Sequence, residues 1–197
     1  MVMIFLGMLA TILAVCWLGN TDVLLMLPLT APDEFLARMP HVPLRVLRME
    51  FVLIQPSSTF LVYFLGGSMI LAGAYFLRTR RTQQSRVYWG MGLILWGLGA
   101  ISAGTSYQAL GYELKCRGRE ACLFTSDFEL VYMLLTAYSI NFLVASMGYT
   151  SLNGEGRKRL IYFALIDSAA YSVFMLDRKS TRLNSSHSRA SRMPSSA

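Results

Sequence analysis

Long apolar stretches separated by short charged clusters dominate this chain. The first stretch covers residues 2–20 and carries no charge, and the others cover about 57–77, 87–110, 127–149 and 160–176. A helix of roughly 20 apolar residues crosses the ~30 Å hydrocarbon core of a bilayer, whereas a soluble core needs no segment of that length. The pattern therefore predicts an all-α protein, a polytopic transmembrane helix bundle with at least five spans.

A secretory signal peptide is the alternative interpretation of the first stretch. No basic residue precedes its apolar run, it has no obvious small-x-small cleavage site, and apolar residues resume at Val23–Leu29. We therefore interpret residues 2–20 as a membrane span rather than as a cleaved leader.

Prolines interrupt the connector between the first two stretches. Pro28, Pro32, Pro40 and Pro43 prevent a long regular helix in this region. Residues 44–55 then read LRVLRMEFVLIQ, which mixes arginine and glutamate with large apolar side chains. This mixture predicts a short helix lying at the membrane interface, with the arginine heads reaching water.

Polar residues mark the start of the fourth stretch. Ser126 and Glu129 have the spacing of a capping box, in which the serine caps a helix and the glutamate reaches back to the cap. We therefore expect a helix to begin near Asp127.

The last 21 residues differ from the rest of the chain. Residues 177–197 read DRKSTRLNSSHSRASRMPSSA, which is rich in serine and arginine and has too few apolar residues to form a core, so we expect disorder. DRKSTRLNSSH resembles the in-frame translation of a sequencing-adapter oligonucleotide, and SRMPSSA resembles its continuation. The resemblance implies a non-native tail on a C-terminally truncated chain, whose transmembrane domain is 1–176. The alternative is a natural disordered basic tail.

Composition supports the membrane interpretation. The 197 residues are 54% hydrophobic and 15% charged, whereas soluble domains carry about 25% charged residues. The net charge of +7 invites a nucleic-acid partner, but residues 1–176 have 13 basic against 10 acidic residues. No soluble segment carries a basic stripe with interleaved aromatic residues, so we expect the lipid bilayer as partner and no nucleic acid.

Basic residues predict the orientation of the chain. One side carries seven of them, which lie close to helix ends: Arg78, Arg80, Arg81, Arg86, Arg157, Lys158 and Arg159. The opposite side carries six, which are more dispersed. The positive-inside rule then predicts a prokaryotic cytoplasmic-membrane protein with a cytoplasmic N-terminus and an extracytoplasmic loop 111–126.

The cysteines agree with that orientation. Cys116 and Cys122 both lie in the loop 111–126, and disulfides persist in oxidising compartments such as the periplasm. Gly118 lies between them and permits the turn that a C-x5-C spacing needs. We predict a structural disulfide between Cys116 and Cys122.

Glycines recur at intervals of seven in the third stretch. Gly90, Gly97 and Gly104 return to nearly the same helix face, and the second apolar stretch repeats the interval at Gly66 and Gly73. Small residues let membrane helices approach closely. We predict a close bundle of the second to fourth stretches, and a homo-oligomer or membrane partner that contacts Gly90, Gly97 and Gly104.

Polar residues cluster at the outer end of the third stretch. Buried polar side chains in lipid are costly without partners, so they mark helix contacts or a site. The candidate ligand-binding residues here are Thr105, Ser106, Gln108, Tyr112 and Glu113. The alternative is interfacial tyrosines and a solvated Glu113–Lys115 pair.

Two further polar residues lie in the fourth and fifth stretches. Asp167 sits in the middle of the fifth, with Ser168 and Ser172 nearby, and Asn141 lies in the fourth, where we expect it to hydrogen-bond across the bundle. An ionisable residue within a span is a functional hypothesis by default, so both join the candidate ligand-binding residues. The alternative is that Asp167 faces a polar partner in a missing helix.

Enzyme signatures are weak. The only histidine before residue 177 is His41, in the connector, so the sequence predicts no metal site, no catalytic residue and no cofactor. The segment GTSYQALGYELKC is similar to uncharacterised multi-pass prokaryotic membrane proteins, a resemblance that implies no activity. The sequence favours a non-enzymatic membrane protein for small-molecule sensing, transport or membrane assembly. The alternative is a membrane-embedded enzyme acting on a lipid or on a thiol or quinone.

Overall fold

The computed structural model describes residues 30–46, 49–123 and 126–190, and this part of the chain is mostly helical. The predicted span at 2–20 lies outside the described residues. The elements in chain order are α1 Pro32–Arg38, β1 His41–Val46, β2 Met49–Ile54, α2 Pro56–Arg78, α3 Gln84–Gly104, a π-helical turn Thr105–Ala109, α4 Gly111–Lys115, α5 Asp127–Ser151 and α6 Gly154–Ala190.

Three helical stretches of the described residues are long and apolar enough to cross a membrane. They are Pro56–Arg78, Gln84–Ala109 and Val131–Ser151, and they coincide with the second, third and fourth predicted spans. The fifth predicted span, 160–176, forms part of the 37-residue helix α6. Three candidate spans are therefore present, and the larger number of at least five stays a prediction.

Glycines set the contact between α2 and α3. A Cβ atom added at Gly97 would lie 2.5 Å from the backbone oxygen of Gly66, and one added at Gly73 would lie 2.6 Å from that of Gly90. No side chain fits at these distances, so the two backbones are in direct contact. The close approach predicted from the spacing of seven is confirmed.

The glycines that we expected to contact a partner chain lie in this same contact. Gly90, Gly97 and Gly104 are buried, and a Cβ atom at Gly104 would lie 2.9 Å from the side chain of Val62 on α2. All three glycines therefore pack against a helix of their own chain.

A second glycine stripe on α3 faces α5. A Cβ atom at Gly92 would lie 2.8 Å from Leu143 and 3.3 Å from the backbone oxygen of Ser139, whose hydroxyl donates to the Gly92 carbonyl at 2.8 Å. Gly99 lies opposite Thr136. Helix α3 therefore lies between α2 and α5, and α6 packs against α5.

The predicted interfacial helix at 44–55 is wrong, because His41–Val46 and Met49–Ile54 are strands. The mostly helical character of the predicted fold class is confirmed for the described residues. Strands β1 and β2 pair antiparallel, with Leu44 opposite Phe51. Proline disfavours helix, and β-branched and aromatic residues favour a pleated strand. Arg45 lies directly opposite Glu50 and forms an ion pair with it. The charges that suggested an amphipathic helix instead join two strands.

The tail differs from expectation over residues 177–190. Helix α6 continues through Ala190, where the composition predicted disorder. This segment contains neither proline nor glycine, the two residues that oppose helix most strongly, so nothing local ends the helix. Residues 191–197 lie outside the described residues, and the non-native origin of the tail stays a prediction.

Candidate functional site

The polar end of the third span contains a π-helical turn. The Leu110 amide donates to the Thr105 carbonyl at 2.8 Å, which is the wider i to i+5 bond of a π-helix. Ser106 and Ala109 are buried in this turn. Such turns occur often at functional sites, and here the turn contains three of the predicted site residues, Thr105, Ser106 and Gln108.

A buried ion pair lies beside the π turn. Lys115 at the end of α4 pairs with Glu129 in the first turn of α5, and their side chains are only 10% and 3% exposed. The Lys115 ammonium also lies 4.8 Å from the centre of the Tyr107 ring, a distance typical of a cation–π contact. Burial of both charges makes their mutual pairing essential, because an isolated buried charge is very costly.

Two serine hydroxyls complete this cluster. Ser106 Oγ donates to Glu129 Oε1 at 2.8 Å. Since a hydroxyl has one proton, the contact of 2.5 Å between Ser106 Oγ and Ser126 Oγ has Ser126 as donor. The polar chain therefore runs from Ser126 through Ser106 to Glu129, which also accepts from Lys115.

The sequence pattern did not identify Lys115, Ser126 and Glu129 as members of a cluster with Ser106. Ser126 is the N-cap residue of α5, as expected, but its side chain makes no capping hydrogen bond. The capping-box chemistry is therefore wrong, because Ser126 and Glu129 bind Ser106 and Lys115 instead. A glutamate at the start of a span, 14 residues after a lysine, was the available signal.

A disulfide closes the loop that joins α4 to α5. Cys116 and Cys122 are bonded at 2.01 Å and both are buried. Gly118 has φ of 70°, a left-handed turn that favours glycine. The predicted disulfide and its turn are confirmed, and the bond begins at the residue that follows Lys115.

Glu113 connects α4 to the strand pair. Its Oε1 accepts from the Val52 amide at 3.0 Å and its Oε2 accepts from Arg117 at 2.6 Å, so the alternative of a solvated Glu113–Lys115 pair is wrong. Arg117 also donates to the Glu50 carbonyl at 2.9 Å. The hydrogen bond to Glu113, and its negative charge, raise the pKa of Arg117 above the ordinary value.

A cleft of about 400 Å³ opens between the strands and α4. Its lining residues are Pro43, Leu44, Arg45, Glu50, Phe51, Val52, Glu113 and Arg117. The four charged side chains of this cleft already form two ion pairs, Arg45 with Glu50 and Arg117 with Glu113. The cleft is therefore polar, but its charges neutralise one another.

The predicted site residues at this end of the third stretch face different elements of the fold. Thr105 Oγ1 contacts Tyr63 Oη of α2 at 2.8 Å, whereas Ser106 faces α5 and Glu113 faces β2. Gln108 has a buried Oε1 without a hydrogen-bond partner among the described residues, and Tyr112 is half-buried. These residues join three different elements, so most of them act as contacts that hold the outer end together.

The remaining candidates, Asn141 and Asp167, lie in the interface of α5 and α6. Asn141 Nδ2 donates to Asp167 Oδ2 at 2.8 Å and to Ser168 Oγ at 3.0 Å. The bond across the bundle expected for Asn141 thus reaches α6, and Asp167 finds a polar partner within this chain. One turn away, Tyr138 Oη contacts Ser172 Oγ, which extends the polar interface.

This pair has unused polar capacity. Asn141 is 4% exposed, and its Oδ1 has no hydrogen-bond partner among the described residues. The ion pairs found in the described residues do not include Asp167. In that part of the chain no group of three His, Cys, Asp or Glu residues could hold a metal ion.

Among known proteins, no family model, curated sequence or solved structure matches the chain.

Proposed function

We propose that this chain is a non-enzymatic, multi-pass membrane protein that transports or senses a small cation, which binds at Asp167. The observation that carries the proposal is the contact of Asp167 with Asn141, whose Oδ1 is buried and finds no partner in the part of the chain that the structure describes. The cluster of Lys115, Glu129 and Ser106 is a weaker candidate, because these side chains already pair and hydrogen-bond with one another.

The depth of this contact supports the proposal. Asn141 is the central residue of the candidate span Val131–Ser151, so it lies about 15 Å from either end of that span at 1.5 Å per residue. A side chain that hydrogen-bonds Asn141 lies close to the same depth. A carboxylate at the centre of a bilayer costs roughly 2.5–3.5 kcal/mol, and binding a cation removes that charge.

The donor chemistry fits a small, singly charged ion. Rotation of the Asn141 amide by half a turn brings Oδ1 to the place of Nδ2, so that it faces Asp167 Oδ2 and Ser168 Oγ. Three oxygen atoms then surround one point, and hard cations prefer oxygen ligands. One carboxylate balances one positive charge, which favours a monovalent ion such as Na⁺ over a divalent metal.

Cation binding is tested by thermal unfolding of the purified full chain in detergent. Na⁺ is compared with choline at equal ionic strength and equal pH, in wild type, Asp167→Asn and Glu155→Gln. The control removes one exposed acid from the same helix. Ion present at a hundred times its Kd stabilises by about 2.7 kcal/mol, and we expect this gain in wild type and in the control only.

A Na⁺ site gives a Na⁺-dependent rise in Tm that Asp167→Asn abolishes. The proposal is refuted if wild type does not respond to Na⁺, or if Asp167→Asn responds as wild type does.

We also propose the orientation suggested by the basic clusters, with the ends at Arg78–Arg86 and Arg157–Arg159 in the cytoplasm of a prokaryotic cell. The positive-inside rule supports it, and so does a disulfide on the opposite side of the membrane. A membrane-impermeant thiol reagent on intact cells should label Cys116 and Cys122 after reduction. Labelling that requires lysis contradicts this orientation.

A further inference from the structure

An arginine-lined cleft lies at the turn between α2 and α3. Arg78 is the last residue of α2, Arg86 is the third residue of α3, and Arg81 lies between the two helices. They surround a cleft of about 660 Å³, whose lining residues are Tyr75, Arg78, Thr79, Arg81, Gln83 and Arg86. We call this the arginine cleft.

No acidic residue neutralises the arginine cleft from its own elements. The chain has no aspartate or glutamate from Phe51 to Tyr112. The stacking of Tyr88 on Tyr149 at 5.0 Å brings the end of α5 to the start of α3. Glu155, in the first turn of α6, therefore lies at this same end of the bundle, but it is paired with Lys158 at 3.1 Å.

The N-terminus of α3 adds to the positive potential. Its first turn contains no acidic side chain, and its N-cap residue, Gln83, makes no side-chain cap hydrogen bond. Free amide groups and the helix dipole favour an anion at such an end. Arg86 lies in that first turn and donates to the Thr79 carbonyl at 3.1 Å, which holds it across the cleft.

The cleft also lies at headgroup depth. It lies at the turn that joins two candidate membrane spans, Pro56–Arg78 and Gln84–Ala109, so it faces the phosphate layer of one leaflet. Tyr75 is exposed beside it, as aromatic residues at the membrane interface commonly are. This placement holds for either orientation of the chain.

We propose that the arginine cleft binds a phosphate group, supplied by an anionic phospholipid headgroup or by free phosphate. Guanidinium groups match phosphate oxygens with two parallel hydrogen bonds, and basic pockets between membrane helices recognise anionic headgroups. The inference is independent of cation binding at Asp167, because it uses different residues at the end of other helices.

Fluorescence quenching tests the lipid source. Trp89 is used alone, in a Trp17→Phe/Trp96→Phe background, because its ring stacks on Phe76 at 6.5 Å, close to the cleft. The full chain is placed in phosphatidylcholine vesicles that contain brominated phosphatidylglycerol or, for comparison, brominated phosphatidylcholine. We expect stronger quenching by phosphatidylglycerol, with the preference falling about fivefold for each arginine removed.

A matched pair of variants distinguishes binding in the arginine cleft from a general effect of positive charge. Arg78→Gln/Arg81→Gln/Arg86→Gln removes three charges from the cleft, and Arg157→Gln/Lys158→Gln/Arg159→Gln removes three from the other basic cluster. The preference should disappear in the first variant and remain in the second. If the first fails to fold, Arg81→Gln alone, at an exposed position between the helices, gives the same comparison.

Inorganic phosphate provides the second source. The Tm of the detergent-solubilised protein is measured in phosphate and in chloride. If vesicles give no lipid preference, a higher Tm in phosphate that is lost in the cleft variant supports free phosphate as the ligand. Equal losses in both triple variants would show a diffuse basic surface and overturn the proposal. So would a wild type that distinguishes neither phosphatidylglycerol nor inorganic phosphate.

Discussion

Glu129→Gln tests the buried ion pair at the outer end of the bundle. The substitution keeps the size of the side chain and leaves an oxygen that accepts the Ser106 hydroxyl, but it removes the negative charge facing Lys115. The ammonium then faces a neutral amide oxygen and the Tyr107 ring, 4.8 Å away, at a position where its side chain is 10% exposed. The loss is therefore that of a buried charge left without its counter-ion.

The expected cost is large compared with that of a surface pair. Removal of one partner of a buried ion pair costs roughly 3–5 kcal/mol. Glu155 and Lys158 form a comparable pair at 3.1 Å, with side chains 71% and 65% exposed, and exposed pairs contribute about 0–1 kcal/mol. We therefore expect Glu129→Gln to destabilise several times more than Glu155→Gln.

Unfolding by denaturant in mixed micelles, with wild type and both variants side by side, measures the difference. The double variant Lys115→Met/Glu129→Gln should recover much of the loss, because it removes the unpaired charge as well. Similar small losses in the two single variants would refute our view that burial makes this pair critical.

Two other substitutions test the packing and the loop. Gly97→Ala places a methyl group 2.5 Å from a neighbouring backbone oxygen, whereas the same change at Gly67 meets nothing within 4 Å. Overpacking costs roughly 1–3 kcal/mol, so only Gly97→Ala should lower the free energy of unfolding, and equal effects would contradict the glycine contact. Cys116→Ser/Cys122→Ser opens a loop with a sequence separation of 6 and should cost about 2 kcal/mol. Chemical unfolding with and without reductant measures this, and an unchanged midpoint would count against a stabilising disulfide.

Length and glycine spacing were sufficient to predict the bundle. The candidate spans in α2, α3 and α5 follow from apolar runs that only a helix can carry through hydrocarbon. The glycine faces of α2 and α3 follow from a period of seven, because that period returns to one face. Each of these features depends on the composition or spacing within a single stretch, which is why the pattern alone identifies them.

The strand pair and the cluster of Lys115, Glu129 and Ser106 depend on which side chain lies opposite each charge in the folded chain. Arg45 suggests a snorkelling helix until Glu50 is known to lie opposite it. Glu129 resembles a capping residue until the loop brings Lys115 beside it. In both cases a local pattern fits two structures, and tertiary contact decides between them.

Asn141 and Asp167 illustrate a different limit. Each was a candidate by its own polarity, since a membrane span rarely carries such residues without a purpose. Their pairing across α5 and α6 required the relative rotation of two helices, which a uniformly apolar sequence leaves undefined. The sequence therefore identified both residues but not the contact between them.

The glycine contacts of α2 and α3 also fix how these helices can move. A register shift of α3 by one residue, which combines a rise of about 1.5 Å with a turn of about 100°, would bring Trp89 and Trp96, the bulkiest side chains, to the places of Gly90 and Gly97, where no side chain fits. Such a register shift between the two helices is therefore blocked. We expect any rearrangement that accompanies the proposed ion binding to occur between α5 and α6, whose contact is held by exchangeable hydrogen bonds.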